Sequence, residues 1–158
     1  MRNGKSIYSG WHDGKIRAFL PQSGKLLYCI NEAHTNGVTA ITSTSDSQKL
    51  VSGGMNGEIR VWKIGQQSQT MEASLKEHRY RVWSICINNL DDRAISASAD
   101  GSCIIWDIKS FSRVACMFET TMFKQLVFHP DESQILTTGT DRKITYWDAV
   151  DGIEIRMI

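Results

Sequence analysis

Four short apolar runs, evenly spaced and alike in register, constrain this sequence more than anything else in it. They are "IRAF" ending at Phe19, "RVW" at Trp62, "IIW" at Trp106 and "TYW" at Trp147. Successive aromatics stand 43, 44 and 41 residues apart, and six residues ahead of each lies Asp13, Asn56, Asp100 or Asp141. A period of that length means one supersecondary unit repeated, because so small a unit cannot bury its apolar face alone and must stack on its neighbours. Alternation within each run is that of a strand. Asp13–Gly14, Asn56–Gly57 and Asp100–Gly101 favour tight hairpins, since Gly takes positive φ and Asp or Asn bonds back to its own backbone.

In chain order the first unit, residues 1–30, offers strands at 6–9, 15–20 and 25–30 and lacks an innermost strand, so the chain reads as starting inside a repeat. The second, 31–76, offers 38–43, 48–52, 58–64 and 71–76. Met71 and Leu75, like Glu72 and Lys76, are four apart, which a helical turn would also explain; the repeat favours a strand. The third, 77–118, offers 82–88, 93–97, 103–108 and 113–118, and the fourth, 119–158, offers 124–128, 134–138, 144–148 and 153–157. His129–Glu132 "HPDE" suits a turn. In the fourth unit Arg142 stands where the others have Gly, so its hairpin is expected to persist with a different turn geometry.

A formal charge of +1 over 158 residues gives no general nucleic-acid binder, and no apolar run is long enough to cross a membrane. Met1–Gly10 lacks the apolar core of a secretory signal. Cys29, Cys86, Cys103 and Cys116 have no paired metal-site spacing and fall mostly in strands, which reads as reduced thiols of a cytosolic chain. His12, His34, His78 and His129 lack ligand spacing, and Gly10, Gly53 and Gly54 sit at strand ends with no phosphate-loop Lys after them. No cofactor and no metal are expected.

With "EAH" at 32–34, "KEH" at 76–78, "SADG" at 98–101, "GTDRK" at 139–143 and "YWD" at 146–148, the chain resembles the WD40-repeat β-propeller family. The resemblance implies an all-β propeller fragment of roughly three and a half four-stranded blades, which needs the rest of a propeller or an assembly partner to cover its end sheets. It also implies a polar network in each blade: His78, Ser96, Asp100 and Trp106 match all four members. His34, Ser52, Asn56 and Trp62 match with Asn for Asp, so the bond from Asn56 to His34 is expected to be weaker and the imidazole less stabilised when charged. Thr137, Asp141 and Trp147 meet Glu119 where the histidine belongs, so either Glu119 turns outward or that blade uses another network. Ser9, Asp13 and Phe19 have no upstream histidine.

His78, Ser96 and Asp100 are also the residue types of a hydrolase triad. Ser96 lies in an expected inner strand, no nucleophile elbow surrounds it, and a similar set recurs at His34, Ser52 and Asn56; recurrence favours a structural role. Function then belongs to loops gathered on one face, where Trp11, His12, Met55, Arg79, Tyr80, Arg81, Arg142 and Lys143 are the candidate partner-binding residues. Longer strings, "GWHDGKIRAF" at 10–19, "GVTAITSTSD" at 37–46, "EIRVWKIG" at 58–65 and "GTDRKITYWD" at 139–148, resemble WD-repeat proteins of motile cilia. That resemblance implies a non-catalytic axonemal protein with tubulin and other microtubule inner proteins as partners, in the cytoplasm and cytoskeleton of the cilium. The alternative is a soluble adaptor that recruits a peptide or a ubiquitin-ligase partner.

Overall fold

A computed structural model describes residues 4, 6–65 and 68–158; part of the amino-terminal stretch read above for a secretory signal lies outside them. The chain is all-β. Strands β1 (Ile7–Gly10), β2 (Ile16–Phe19) and β3 (Leu26–Ile30) form a three-stranded sheet. Three four-stranded sheets follow: β4 (Val38–Ser43) to β7 (Gln69–Leu75) through β5 (Lys49–Gly54) and β6 (Ile59–Ile64); β8 (Val82–Ile87) to β11 (Ser112–Phe118) through β9 (Arg93–Ser98) and β10 (Ser102–Asp107); and β12 (Phe123–Phe128) to β15 (Glu154–Met157) through β13 (Gln134–Gly139) and β14 (Ile144–Asp148). Every pairing is antiparallel between strands adjacent in sequence. The 69–75 segment is a strand despite its helical spacing. Its backbone pairs from Ile59↔Leu75 to Ile64↔Gln69, and Glu72 reaches Lys49 at 2.7 Å.

Two irregularities recur at fixed places. Each second-to-outer pairing shifts register beside the repeat aromatic, at Ala18/Phe19, Val61/Trp62, Ile105/Trp106 and Tyr146/Trp147. Each innermost strand carries a bulge near its start, leaving Thr39, Trp83 and Lys124 out of the ladder. Bulges of this kind increase twist and re-aim a side chain.

Sheets pack face to face, and the apolar alternation of each strand supplies both faces. Ile16 and Ile30 meet Val38, Leu50 and Trp62; Val51, Ile59 and Val61 meet Val82, Ile85 and Trp106; Ile95, Cys103, Ile105 and Met117 meet Phe123, Leu126 and Trp147. Each such aliphatic side chain contributes about 1.5–3 kcal/mol when fully buried. Close approach of the next sheet's innermost strand explains two glycines that are not in turns. A Cβ on Gly10 would lie 2.5 Å from Val38, and one on Gly53 would lie 2.7 Å from Val82.

Carboxylates clasp the sheets at the opposite ends of these strands. Asp91, at φ 55°, accepts hydrogen bonds from Ser45 N at 2.9 and 2.8 Å, and Glu132, at φ 60°, accepts one from Asn89 N at 2.6 Å. Each links the turn of one sheet to the same turn of the next. The two end sheets keep apolar residues in contact with solvent, including Ile7 and Leu26 on one and Val127, Ile144 and Ile155 on the other.

Candidate functional site

The third sheet holds the most complete polar set. Ser96 is fully buried on β9, and its Oγ accepts a hydrogen bond from Trp106 Nε1–H at 2.8 Å while lying 2.7 Å from His78 Nε2. On the other side of the ring, His78 Nδ1 is 2.7 Å from Ser102 Oγ and 3.3 Å from Asp100 Oδ2. Ser102 donates its hydroxyl to Asp100 Oδ1 at 2.5 Å, so it receives the Nδ1 proton. With His78 as the Nδ1–H tautomer, every donor from Trp106 through Ser96, His78 and Ser102 to Asp100 has an acceptor. Asp100 Oδ2 also accepts Arg79 N–H at 2.8 Å, which ties the loop before β8 to the β9–β10 hairpin. Burial pushes the Asp100 carboxyl up, but hydrogen bonds from His78, Ser102 and the Arg79 amide outweigh it and hold the group well below the usual carboxylate range.

Nothing here resembles a working hydrolase. Ser96 has no exposed surface, and its oxygen is already engaged by an indole N–H. Among the described residues no cluster of three or more His, Cys, Asp or Glu side chains is placed to hold a metal ion. All four cysteines are free; burial pushes the Cys103 thiol well up and Cys116 to about 11, so neither is an activated nucleophile.

The second sheet departs from expectation. His34 Nε2 is 2.8 Å from Ser52 Oγ, which also accepts Trp62 Nε1–H at 2.9 Å. The expected weak bond between Asn56 and His34 is absent: His34 Nδ1 has no partner, and Asn56 Oδ1 accepts Glu58 N–H at 3.3 Å. Glu58 occupies the place of Ser102 and changes the chemistry. Buried, it bonds Arg60 Nη2 at 3.0 Å and Ser74 Oγ at 2.5 Å; burial raises its carboxyl, yet these hydrogen bonds prevail and lower it to about 2. Arg60 in turn donates to Glu32 O and Ala33 O at 2.9 and 3.0 Å, so a guanidinium secures the lead-in loop where Asp100 does so one sheet later. Burial first, and the Arg60 charge second, lower His34 to about 4.

In the fourth sheet Trp147 Nε1–H donates to Thr137 Oγ1 at 2.8 Å, but the rest of the set is rebuilt. Glu119 N–H bonds Gly101 O as His34 N–H bonds Gly14 O, so Glu119 does hold the histidine position in the backbone. Its side chain is partly exposed, and Thr121 fills the space. Thr121 Oγ1 accepts Asp141 N–H at 3.2 Å and lies 3.2 Å from Thr140 Oγ1. The exposed Asp141 carboxylate accepts Lys143 N–H at 3.2 Å and takes no part in a buried network. In the first sheet Phe19 has no N–H to give, and Trp11 Nε1–H supplies Ser9 Oγ instead, at 2.8 Å.

The hairpin turns lodge under the next lead-in loop. Gly14, Gly57 and Gly101 have φ of 78°, 82° and 83°, and a Cβ on them would lie 2.1, 2.3 and 2.6 Å from the carbonyl oxygens of His34, His78 and Glu119. Arg142 takes φ 64°, so the fourth hairpin keeps the left-handed geometry rather than changing it.

The partner-binding candidates lie on these turns and lead-in loops and differ in exposure. Trp11 is half-exposed under Arg17, which lies 4.7 Å from its ring, and His12 packs against Gly37. Met55 N–H bonds Gly37 O, Tyr80 is 64% exposed, and Arg79, Arg142 and Lys143 are exposed without an ion pair among the described residues. Arg81 lies 3.9 Å from the Trp83 ring, whose other cation is Lys124 at 3.8 Å. Sequence reasoning missed Ser102, Glu58, Arg60, Thr121, Trp83 and Lys124. Only the first two had a visible signal, a polar residue two places after the turn Asp or Asn.

Comparison with known proteins follows the same repeats. The profile of the WD domain, G-beta repeat family matches residues 24–63, 69–107 and 120–148. The chain is 51% identical over 156 residues to cilia- and flagella-associated protein 52 of Mus musculus and of Homo sapiens, and 57% identical to that of Chlamydomonas reinhardtii. In each case the match takes in 99% of this chain and 25% of the relative, so the chain spans about a quarter of their length. With more than half of its residues inside the profile and the repeats folded as successive antiparallel sheets, the chain belongs to the WD40-repeat family.

Proposed function

We propose that this chain is part of a non-catalytic structural protein of the motile-cilium axoneme, bound inside doublet microtubules and stabilising tubulin and neighbouring inner proteins. The observation that carries the reading is identity of about half the residues, across nearly the whole chain, to cilia- and flagella-associated proteins of mammals and Chlamydomonas. That kinship supports a ciliary, cytoskeletal setting. The physical design agrees: polar side chains are used to lock lead-in loops to hairpins, and the exposed candidate contacts lie on loops, as in a scaffold that works by contact. Arg79, Arg81, Arg142 and Lys143 are the cations offered to an acidic lattice, with Trp11, His12, Met55 and Tyr80 as the accompanying contacts; exposed charges of this kind weaken with salt.

A residue-resolved crosslinking map of isolated ciliary doublets, with soluble cell extract beside it, tests this. Crosslinks from Lys143 or Lys76 to tubulin in the doublet are expected. Reproducible links to a soluble partner, with none to tubulin despite good coverage, would replace the lattice role with that of an adaptor recruiting a peptide or a ubiquitin-ligase component.

A further inference from the structure

Thr39, Trp83 and Lys124 are the bulged residues of three consecutive innermost strands, and so occupy one level beside the propeller axis on the face of the lead-in loops. Thr39 Oγ1 is spent in holding the sheets together, donating to Val82 O at 2.5 Å. The other two are not. Lys124 Nζ lies 3.8 Å and Arg81 Cζ 3.9 Å from the centroid of the Trp83 ring, so two positive charges share one indole and cannot be farther apart than the sum of those distances. No carboxylate pairs with either among the described residues; the acids that form ion pairs with Lys or Arg go to Arg17, Lys49, Arg60, Lys76 and Arg113.

The hydrogen-bonding inventory of this cluster is donors only. Trp83 Nε1–H and Arg81 Nε–H are both out of contact with water and both without a partner, and Lys124 has three N–H bonds and no acceptor. A ring quadrupole attracts a cation, but it does not neutralise one, and a second cation on the same ring is repelled by the first. Such a group is complemented by an anion with several acceptor oxygens, which would neutralise the pair and accept hydrogen bonds from the Lys124 ammonium. All three side chains are partly exposed, so the cluster can be approached from solvent.

We propose that Arg81, Trp83 and Lys124 form a binding point for a carboxylate-rich peptide segment. A nucleic acid is a poorer fit, because backbone binding needs a track of cations spaced along many phosphates, whereas these are concentrated at one point on a chain of formal charge +1. The site shares Arg81 with the lattice contacts proposed above but does not depend on that reading, and would serve a lattice protein or an adaptor equally.

The test is fluorescence anisotropy of short labelled peptides with the full 158-residue chain. A Glu-rich peptide should bind, lose about tenfold or more in affinity on Lys124→Glu, and lose a similar amount on Arg81→Gln. Lys25→Glu makes the same change in net charge at an exposed lysine elsewhere and should leave binding within a factor of about two, as expected of screened charge. Thermal unfolding of each variant reports whether the fold is kept. Equal losses for Lys25→Glu and Lys124→Glu, no binding of the Glu-rich peptide, tighter binding of a phosphoserine peptide of matched length, or tighter binding of an oligonucleotide would each overturn the proposal.

Discussion

Replacing Ser96 with Ala asks how much of the third sheet's stability depends on one hydroxyl. The side chain is fully buried, and its removal leaves Trp106 Nε1–H and His78 Nε2 without the partners they hold at 2.8 and 2.7 Å. Each buried polar atom so orphaned costs about 1–3 kcal/mol, and the small void adds little, so Ser96→Ala should destabilise by about 2–5 kcal/mol. For a domain near this size that is a fall of roughly 4–20 °C in unfolding midpoint. Thr137→Val is the internal control, because it is close in shape and orphans one group alone, Trp147 Nε1–H; about 1–2 kcal/mol is expected. Urea unfolding of Ser96→Ala, Trp106→Phe and the double variant should show losses that fall short of additive by about 1 kcal/mol or more, since the two residues share a bond. A cost for Ser96→Ala below that of Thr137→Val, or full additivity in the cycle, would refute the continuous relay.

The depressed His34 makes a distinct prediction for pH. Its folded value of about 4 lies below the ordinary 6.5, so the unfolded chain binds the extra proton and stability must fall as pH drops from about 6.5 towards 4, by about 3 kcal/mol if the full shift is expressed. His34→Gln should flatten urea midpoints across that window, while the further loss below about pH 4.5 persists, since there Glu58 of the unfolded chain takes up a proton that the folded carboxylate, lowered to about 2, still refuses. Gly57→Ala should destabilise by at least about 2 kcal/mol in the same assay, since φ is 82° and the new Cβ meets His78 O, whereas Arg142→Gly should stabilise by about 0.5–1 kcal/mol by relieving φ 64°. Asp91→Ala removes the acceptor of Ser45 N–H and should cost about 1 kcal/mol, with faster amide hydrogen exchange at Ser45 as the local readout.

Strand positions were legible because two signals agreed. Period-two alternation set which residues face a neighbouring sheet, and the repeat set where each strand had to recur, so even the ambiguous segment ending in Leu75 resolved as β7. The serine or threonine ten residues before each repeat Trp was legible for the same reason, being held by register within a single sheet: Ser52 to Trp62, Ser96 to Trp106 and Thr137 to Trp147. The histidine half of each set was less so. Asn56 and Asp141 match the pattern in spacing, yet neither bonds an imidazole, because what the ring meets depends on side chains two places beyond the turn and on the loop that covers it.

Sequence alone therefore determined the all-β class, the number and order of strands, and the alternation that buries Ile95, Ile105 and Trp106, since these follow from local geometry repeated along the chain. Tertiary structure decided everything that joins one repeat to the next. Gly57 beneath His78, Asp91 on Ser45 and the meeting of Arg81 and Lys124 on Trp83 bring together lead-in loops, turns and bulges that no strand pairing joins. Repeat spacing reports which residues are equivalent; only the stacking of sheets, driven by the apolar faces between them, fixes which residues of neighbouring repeats touch.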